Sequence, residues 1–382
     1  MTSRSAPQTT PKVLRLADHR FGPDVLAGVE EVLASGQLTL GPRVSEFEHA
    51  VAAHVGVAHA VAVSSGTAAL HLALVGLGIT PSDEVVLPDF THPATGNVVL
   101  HRGARPVLVD VHPGTYNLDA GALERALTPR TRLVIAVDLF GLPADYPALE
   151  KVLEPRGIPI LCDAACSLGA ELSGESPARR GEAAIFSFHP RKILTTGEGG
   201  MIVTDNPGLA TRLARLRNHG FERRGEQAVF HELGFNYRMS DVLAVLGSAQ
   251  LPRLTEIVDR RNYLARLLSA RLEPLEGIRA PATPAEGVRP TFQAYVAVLD
   301  EEVDRGRFIA ALADKSIEST IGTYALHAQP SFRDVCGTEP GDVPVSWTLA
   351  QRSVALPLHP RLSEADILWI ADSVSSALEE TT

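Results

Sequence analysis

The sequence predicts an α/β protein: a large domain with a mostly parallel, mixed sheet flanked by helices, followed by a smaller C-terminal α+β domain. Between about residues 22 and 250, short β-rich runs alternate with helical stretches, an order typical of parallel sheets. After about residue 250 the alternation stops, and a long amphipathic stretch leads into a segment rich in proline and glycine. We therefore expect a large domain over residues 12–250 and a small domain over 251–382.

The predicted large-domain sheet consists of seven short β-rich runs. They lie at 60–63, 84–87, 106–109, 133–137, 159–161, 184–187 and 201–204. Apolar residues at helical spacing follow Pro42, a residue suited to a first helical turn, and recur over 67–77 and 118–127. The alternation of these strands and helices indicates one mostly parallel sheet.

The C-terminal part is expected to contain both helices and strands. The expected elements are a helix from 257 to 272, a strand over 293–299 and a helix around 308–312. The last helix is expected to start at Ser363, with Asp366 three residues later as its capping-box partner.

The composition is that of a soluble enzyme. The 382 residues are 45% hydrophobic and 21% charged, and the net charge of −10 argues against a nucleic-acid partner, because phosphates attract basic surfaces. The apolar runs are too short to span a membrane.

The three cysteines lack CxxC spacing, which favours reduced thiols and a cytoplasmic location. Residues 1–11 are polar and are expected to form a flexible tail, and no bound metal is expected.

Residues 64–67, Ser-Ser-Gly-Thr, stand between a predicted strand and a predicted helix. The backbone N–H groups and the positive dipole end of such a helix start can bind an anion. The segment matches neither GxxxxGK[ST], the pattern of nucleotide-binding P-loops, nor GxGxxG, the pattern of dinucleotide-binding folds. A structural helix N-cap is the alternative interpretation.

Two further side chains at predicted strand ends could act on a ligand. Asp163 follows the run 159–161, and ligands of open α/β sheets bind beyond the carboxyl ends of strands. It could equally cap the next turn. Lys192 lies between the run 184–187 and the glycine-rich turn 197–200. Partial burial would lower the pKa of this lysine and make it a nucleophile, whereas a solvated surface lysine is the alternative.

An anion cradle, a carboxylate and a nucleophilic lysine at one sheet edge match the needs of pyridoxal phosphate. Its phosphate needs backbone donors, its pyridine nitrogen needs a carboxylate in order to stay protonated, and its aldehyde needs an amine. We therefore expect a pyridoxal phosphate enzyme. In the loop 234–240, by contrast, Ser240 or the following Asp241 could simply cap a helix.

In their order along the chain, the motifs resemble those of the DegT/StrS-type sugar aminotransferases, from about residue 38 to the C-terminus. The matching segments are Thr39-x-Gly41-Pro42, Ser65-Gly66-Thr67-Ala68-Ala69-Leu70, Asp163-Ala164-Ala165 with Gly169-Ala170, Ser187-Phe188-His189-Pro190-x-Lys192, Gly197-Glu198-Gly199-Gly200, Asn236-Tyr237-Arg238-Met239-Ser240-Asp241 and Leu356-Pro357-Leu358-His359. The resemblance implies the aspartate-aminotransferase fold of type I pyridoxal phosphate enzymes.

The resemblance also implies roles for the matching residues. Lys192 would form the Schiff base with the cofactor and shuttle the proton between the substrate and the cofactor, and Asp163 would pair with the pyridine nitrogen. The residues that would hold the phosphate are Ser65, Gly66, Thr67 and Ser187.

Further residues of the site are implied less directly. Asn236 would reach the cofactor of a neighbouring subunit, which implies a homodimer with shared active sites. Tyr324 and His327 match a segment near the sugar-nucleotide site. Two positions depart from the family pattern: His92 stands where an aromatic residue stacks on the cofactor ring, and Cys166 stands where glutamine or histidine bonds near its phenolic oxygen.

The implied activity is transfer of an amino group from glutamate or glutamine to a keto group of a nucleotide-linked deoxysugar, with pyridoxamine phosphate as the intermediate cofactor form. A keto-cyclitol acceptor is the main alternative. A pyridoxamine-dependent sugar dehydratase is disfavoured because such relatives have histidine in place of the lysine, and Lys192 is present. A regulatory cofactor-binding protein is disfavoured because both Asp163 and Lys192 are retained.

Overall fold

The computed structural model describes residues 12–381, so the expected tail over residues 1–11 lies outside the described residues. The strands are β1 (His59–Val63), β2 (Glu84–Pro88), β3 (Phe90–Thr91), β4 (Arg105–Val109), β5 (Thr131–Val137), β6 (Ile160–Asp163), β7 (Glu171–Leu172), β8 (Ala183–Ser187), β9 (Gly200–Thr204), β10 (Phe221–Arg224), β11 (Gln227–Phe230), β12 (Ile278–Arg279), β13 (Val288–Arg289), β14 (Tyr295–Leu299), β15 (Thr320–Ile321), β16 (Tyr324–Ala325) and β17 (Ser353–Leu356).

The helices connect and cover these strands. They are α1 (Pro23–Ser35), α2 (Pro42–Val55), α3 (Gly66–Gly76), α4 (Pro93–His101), α5 (Ala120–Ala126), α6 (Tyr146–Leu153), α7 (Pro207–Leu216), α8 (Asp241–Gln250), α9 (Leu254–Leu272), α10 (Arg305–Asp314), α11 (Pro330–Cys336), α12 (Pro344–Arg352) and α13 (Glu364–Thr381). In residues 12–381, no helix is both long and apolar enough to cross a membrane.

The main sheet has seven strands in the order β1-β9-β8-β6-β5-β2-β4. Its pairings are parallel except for the two made by β9, which is antiparallel to β1 and to β8. The seven predicted runs all fall in this sheet, and their ends agree to within two residues. The predicted mostly parallel α/β architecture is therefore confirmed.

Buried apolar residues lie on both faces of this sheet, because its strands are apolar at nearly every position. Helices α3, α4 and α7 contribute to one face, and α2, α6 and α8 contribute to the other. The sheet is thus covered on both sides, and only its ends remain open to ligands. The carboxyl ends of its parallel strands meet at one of these edges.

A second sheet, with the order β12-β14-β17-β15, lies in the C-terminal part and packs with α9, α10 and α13. Leu14 belongs to the same apolar cluster and forms a bridge with Ile317, so the start of the described chain packs on C-terminal elements. The reciprocal capping box of α13 is confirmed: Ser363 N donates to Asp366 Oδ2 at 2.9 Å, and Asp366 N donates to Ser363 Oγ at 3.1 Å. The domain boundary near residue 250 stays a prediction.

Two predicted elements were too long. The helix expected over 118–127 begins only at Ala120, because Asp119 accepts the N–H of Ala122 and so caps it. The strand expected over 293–299 begins at Tyr295. Just before it, Phe292 has a φ of 46°, a left-handed conformation that interrupts an extended strand.

Candidate active site

Most of the predicted site residues meet at the carboxyl edge of the main sheet. Strands β1, β2, β6 and β8 all end at this edge, so the segments that follow them begin there. They bring Gly66, His92, Asp163 and Lys192 to one region, although more than 120 residues separate the first from the last along the chain. The α/β topology alone explains this convergence.

Asp163 ends β6 and is buried. Thr95 Oγ1 donates to its Oδ2 at 2.8 Å, and Ala165 N donates to its Oδ1 at 3.3 Å. Burial raises the pKa of Asp163, while the bond from Thr95 and the nearby charge of Lys192 oppose this rise. The carboxylate is therefore desolvated but placed beside a cation, as a group that pairs with a cationic ring would be.

Lys192 lies in the loop between β8 and β9 and is half-buried. Its Nζ donates to Cys166 Sγ at 3.0 Å. Cys166 belongs to the turn after Asp163. The backbone of this turn is held by Thr291, whose Oγ1 donates to the carbonyl oxygen of Cys166 at 2.7 Å. The amine and the carboxylate are thus linked through one short turn.

The start of α3 lies directly beside the end of β8. Ser65 caps the helix, since its Oγ accepts the N–H of Ala68 at 3.0 Å. A Cβ on Gly66 would lie 2.7 Å from Ser187 Cβ, so only glycine fits there. Thr67, in the first turn, is exposed. A helix N-terminus that lacks a side chain at its mouth suits an anion such as a phosphate.

His92 is placed next to the amine and the acid. It caps α4, with Nδ1 accepting the N–H of Ala94 at 3.2 Å. Burial is the main cause that lowers the pKa of His92, and the charge of Lys192 lowers it further, whereas Asp163 opposes this. The ring lies 6.5 Å from that of Tyr324, edge to face. A neutral imidazole therefore flanks the site.

The two predicted substrate-site residues, Tyr324 and His327, differ in their exposure to solvent. Tyr324 is 40% exposed and pairs with Thr91 across β16 and β3. His327 is only 2% exposed, and both its backbone N and its Nδ1 lie 2.7 Å from the carboxylate of Asp89. The structure thus places Tyr324 at the surface near His92 and His327 beneath it. Their roles toward a substrate stay predictions.

Asn236 is exposed and lies in a loop that bridges to Asn218. The next residue, Tyr237, accepts the N–H of Ser64 on its carbonyl oxygen at 2.9 Å, so this loop lies close to the start of α3 in the same chain. The role of Asn236 toward a neighbouring subunit stays a prediction.

Sequence reasoning missed two polar residues at this edge. Thr95 contacts Asp163 from the first turn of α4, and Pro93 at the start of that helix was the available signal.

Asp138, the second of these residues, follows β5 directly. Because ligands of open α/β sheets bind beyond the carboxyl ends of strands, the same reasoning that selected Asp163 would have found it. It is fully buried and accepts bonds from Ser167 Oγ and from Tyr146 OH. Burial raises the pKa of Asp138 to about 6.

The residues present fit pyridoxal phosphate. The side-chain-free helix start at Gly66 suits the phosphate, and the buried Asp163 suits a protonated ring nitrogen. The amine of Lys192 lies near enough to both Asp163 and His92 for its charge to act on their pKa values. Within the described part of the chain, no group of three or more His, Cys, Asp or Glu residues is arranged to hold a metal ion.

Comparisons with known proteins agree with this arrangement. A model of the DegT/DnrJ/EryC1/StrS aminotransferase family matches residues 21–375. GDP-perosamine synthase of Caulobacter vibrioides is 37% identical over 345 residues, which cover 90% of this chain and 91% of that protein.

Solved structures are similar over almost the whole chain. The aminotransferase TlmJ from Streptoalloteichus hindustanus superposes with a TM-score of 0.90 at 34% identity, covering 96% of this chain and 99% of that one. Spr1654 from Streptococcus pneumoniae, solved in PMP, PLP and apo forms, is 26% identical, and its PMP form has a TM-score of 0.92 with coverage of 97% and 98%.

Proposed function

Because the chain belongs to the DegT/DnrJ/EryC1/StrS aminotransferase family and is a pyridoxal phosphate-dependent sugar aminotransferase, we propose that it moves an amino group from glutamate or glutamine to a keto group of a nucleotide-linked deoxysugar. The observation that carries the proposal is the proximity of Lys192 to Asp163. The charge of Lys192 acts on the pKa of both Asp163 and His92, so the amine, the acid and the imidazole lie near one another.

Each of these residues has a separate task in the proposed reaction. When bound, the cofactor supplies an electron sink that stabilises negative charge on the substrate carbon. Asp163 would accept a hydrogen bond from the protonated ring nitrogen, and the first turn of α3 with Ser187 would bind the phosphate. Lys192 Nζ would hold the cofactor and then carry the proton to and from the substrate.

The amine of Lys192 has a weak hydrogen-bond partner. Its side chain is half-buried, and its Nζ donates to the thiol sulfur of Cys166 at 3.0 Å. A thiol is a poor acceptor, so this bond would be exchanged readily for one to the cofactor.

The identity of the acceptor is supported by the relatives. GDP-perosamine synthase is named for a nucleotide-linked product. The exposed Tyr324, beside His92, would contact the sugar nucleotide at the mouth of the pocket. We extend the proposal to a homodimer, in which the exposed Asn236 of each protomer would complete the phosphate site of its partner.

The acceptor is tested with a panel of GDP-, UDP- and dTDP-linked keto-sugars and of keto-cyclitols, each supplied with glutamate and with glutamine. The proposal predicts an aminated nucleotide sugar, identified by mass. Amination of keto-cyclitols alone would overturn the assigned acceptor class, and a deoxygenated product would identify a dehydratase instead.

Shared active sites are tested by mixing two inactive variants, Lys192→Ala and Asn236→Asp. In a mixed dimer with shared sites, one site keeps both residues, so random pairing restores about a quarter of the wild-type activity. If each chain supplies its own Asn236, no mixed site is intact, and the mixture stays inactive.

A further inference from the structure

The backbone directly before Lys192 is held by two side chains from other parts of the chain. His19 Nε2 donates to the carbonyl oxygen of Pro190 at 2.8 Å. Gln293 Nε2 donates to the carbonyl oxygen of Arg191 at 2.7 Å. These two donors come from segments more than 270 residues apart, yet they bind consecutive carbonyl groups.

The segment that carries His19 is attached to C-terminal elements over its whole length. Lys12 pairs with Asp366 at 2.6 Å, and Leu14 exchanges backbone bonds with Ser316 and Glu318 at 2.9 Å. Further contacts join Leu16 N to Glu318 Oε2 at 3.0 Å and Asp18 Oδ2 to Arg361 Nε at 2.8 Å. His19 thus lies at the end of an N-terminal segment that is held in place by residues of the C-terminal part of the chain.

Gln293 is fixed by a buried arginine. The guanidinium of Arg261 is 2% exposed, and its Nη1 donates to the carbonyl oxygens of Leu358 at 2.6 Å, Phe292 at 2.9 Å and Gln293 at 3.3 Å. Phe292 is held in a left-handed conformation with φ of 46°. A bulky residue stays in that conformation only where its surroundings fix it, so Gln293 extends from a rigid base.

The other parts of the lysine loop are held from within the large domain. Lys192 N donates to His189 O at 2.8 Å, and Gln250 Nε2 donates to Thr195 O at 2.6 Å. Residues 190 and 191 are therefore the point at which C-terminal elements and the N-terminal segment reach the lysine loop.

We propose that His19 and Gln293 are positioning residues that hold the 190–191 backbone and thereby set the place of the Lys192 amine. Both act through the backbone and touch no substrate. The inference rests on the proposed role of Lys192. Because a small displacement of a reacting group lowers the rate of its step more than it weakens binding, removal of either donor should lower kcat while KM changes little.

The test uses full-length variants. His19→Phe keeps a ring but removes the donor, and Gln293→Met keeps the chain length but removes the amide. Each should lower kcat about five- to tenfold, the value of one hydrogen bond of roughly 1 kcal/mol, with KM for the acceptor within about twofold of wild type. His19→Gln places an amide N–H where Nε2 lies and should restore most of kcat.

His49→Phe is the matched control, because the ring of His49 also bonds a backbone carbonyl, that of Ser45 at 2.7 Å, but on α2. It should match wild type in kcat. The inference is overturned if His19→Phe and Gln293→Met keep wild-type kcat, if His19→Gln is as impaired as His19→Phe, or if the kcat losses follow a lowered unfolding midpoint.

The role of Lys192 itself is read separately, from the visible absorption band of the bound cofactor. Loss of that band in Lys192→Ala together with wild-type behaviour of His19→Phe would reject only the positioning role. A band that persists in Lys192→Ala would reject the proposed function.

Discussion

The Nζ of Lys192 donates a hydrogen bond to the thiol sulfur of Cys166 over 3.0 Å. The thiol lies three residues after the buried Asp163, on the turn that leaves β6. A modification of this sulfur would therefore place new atoms against the reactive amine.

Alkylation should inactivate the enzyme through Cys166. Burial raises the pKa of Cys162 strongly and that of Cys336 to about 11, whereas Cys166 is partly exposed. Since the thiolate is the reactive form, iodoacetamide at pH 8 should label Cys166 first and abolish activity in step with labelling, as followed by peptide mass. Cys166→Ser should resist inactivation, and Cys336→Ser should be inactivated at the wild-type rate. Full activity after complete labelling of Cys166 would refute this account.

Loss of the Asp163 charge should slow the reaction. Asp163→Asn cannot keep a cofactor ring nitrogen protonated, so kcat should fall about 10²-fold or more. A variant with kcat within about fivefold of wild type, roughly the value of one neutral hydrogen bond, would rule out this role.

Thr95→Val should alter the pH dependence of the same step. The bond from Thr95 lowers the pKa of Asp163, so its removal raises that pKa further. The ionised carboxylate then forms only at higher pH, and the acidic limb of the kcat/KM profile should move upward. An unmoved limb would show that Asp163 does not control it.

Gly66→Ala should weaken cofactor binding, because the new Cβ would lie 2.7 Å from Ser187 Cβ at the mouth of the anion site. We expect the Kd of pyridoxal phosphate to rise about tenfold or more, in a spectrophotometric titration. Gly341→Ala is the matched control, since a Cβ there has no heavy atom within 4 Å. An unchanged Kd for Gly66→Ala would show that the phosphate does not bind at the start of α3.

Asp138 should make the stability of the fold depend on pH. Its pKa is raised to about 6 in the folded state, so the folded protein holds a proton that the unfolded chain releases at lower pH. The stabilising contribution is complete, at about 3 kcal/mol, only below the unfolded-state pKa of about 4, and it is lost as the pH rises through about 6. Asp138→Asn does not titrate.

Urea unfolding of wild type and of Asp138→Asn at pH 4.5 and pH 8 measures this difference. The wild type should lose stability relative to the variant as the pH rises. A constant difference across the two pH values would mean that Asp138 titrates alike in both states.

The sheet and the main site residues could be predicted because their signals are local. Each central strand is visible in the sequence as an apolar run. Asp163 is the last residue of β6, and Lys192 follows β8 in the chain. The parallel topology then gathers them at one edge, whatever their separation along the chain.

The remaining features depend on contacts that no local pattern carries. The bond between His19 and Pro190 joins residues 171 positions apart. The two-residue pairing of β3 with β16 is too short to have a strand pattern. The left-handed residue Phe292 accepts a hydrogen bond on its carbonyl oxygen from the buried Arg261, 31 positions away. The burial of His327 against Asp89 depends in the same way on tertiary packing.

The proposed function depends above all on Lys192 as the amine that holds the cofactor and moves the proton. The most direct test is single-turnover amino transfer by Lys192→Ala loaded with pyridoxal phosphate, followed by visible absorption and by the mass of the product. We expect loss of the wild-type absorption band and a rate at least about 10³-fold below wild type. A variant that keeps the band and transfers the amino group at the wild-type rate would contradict it.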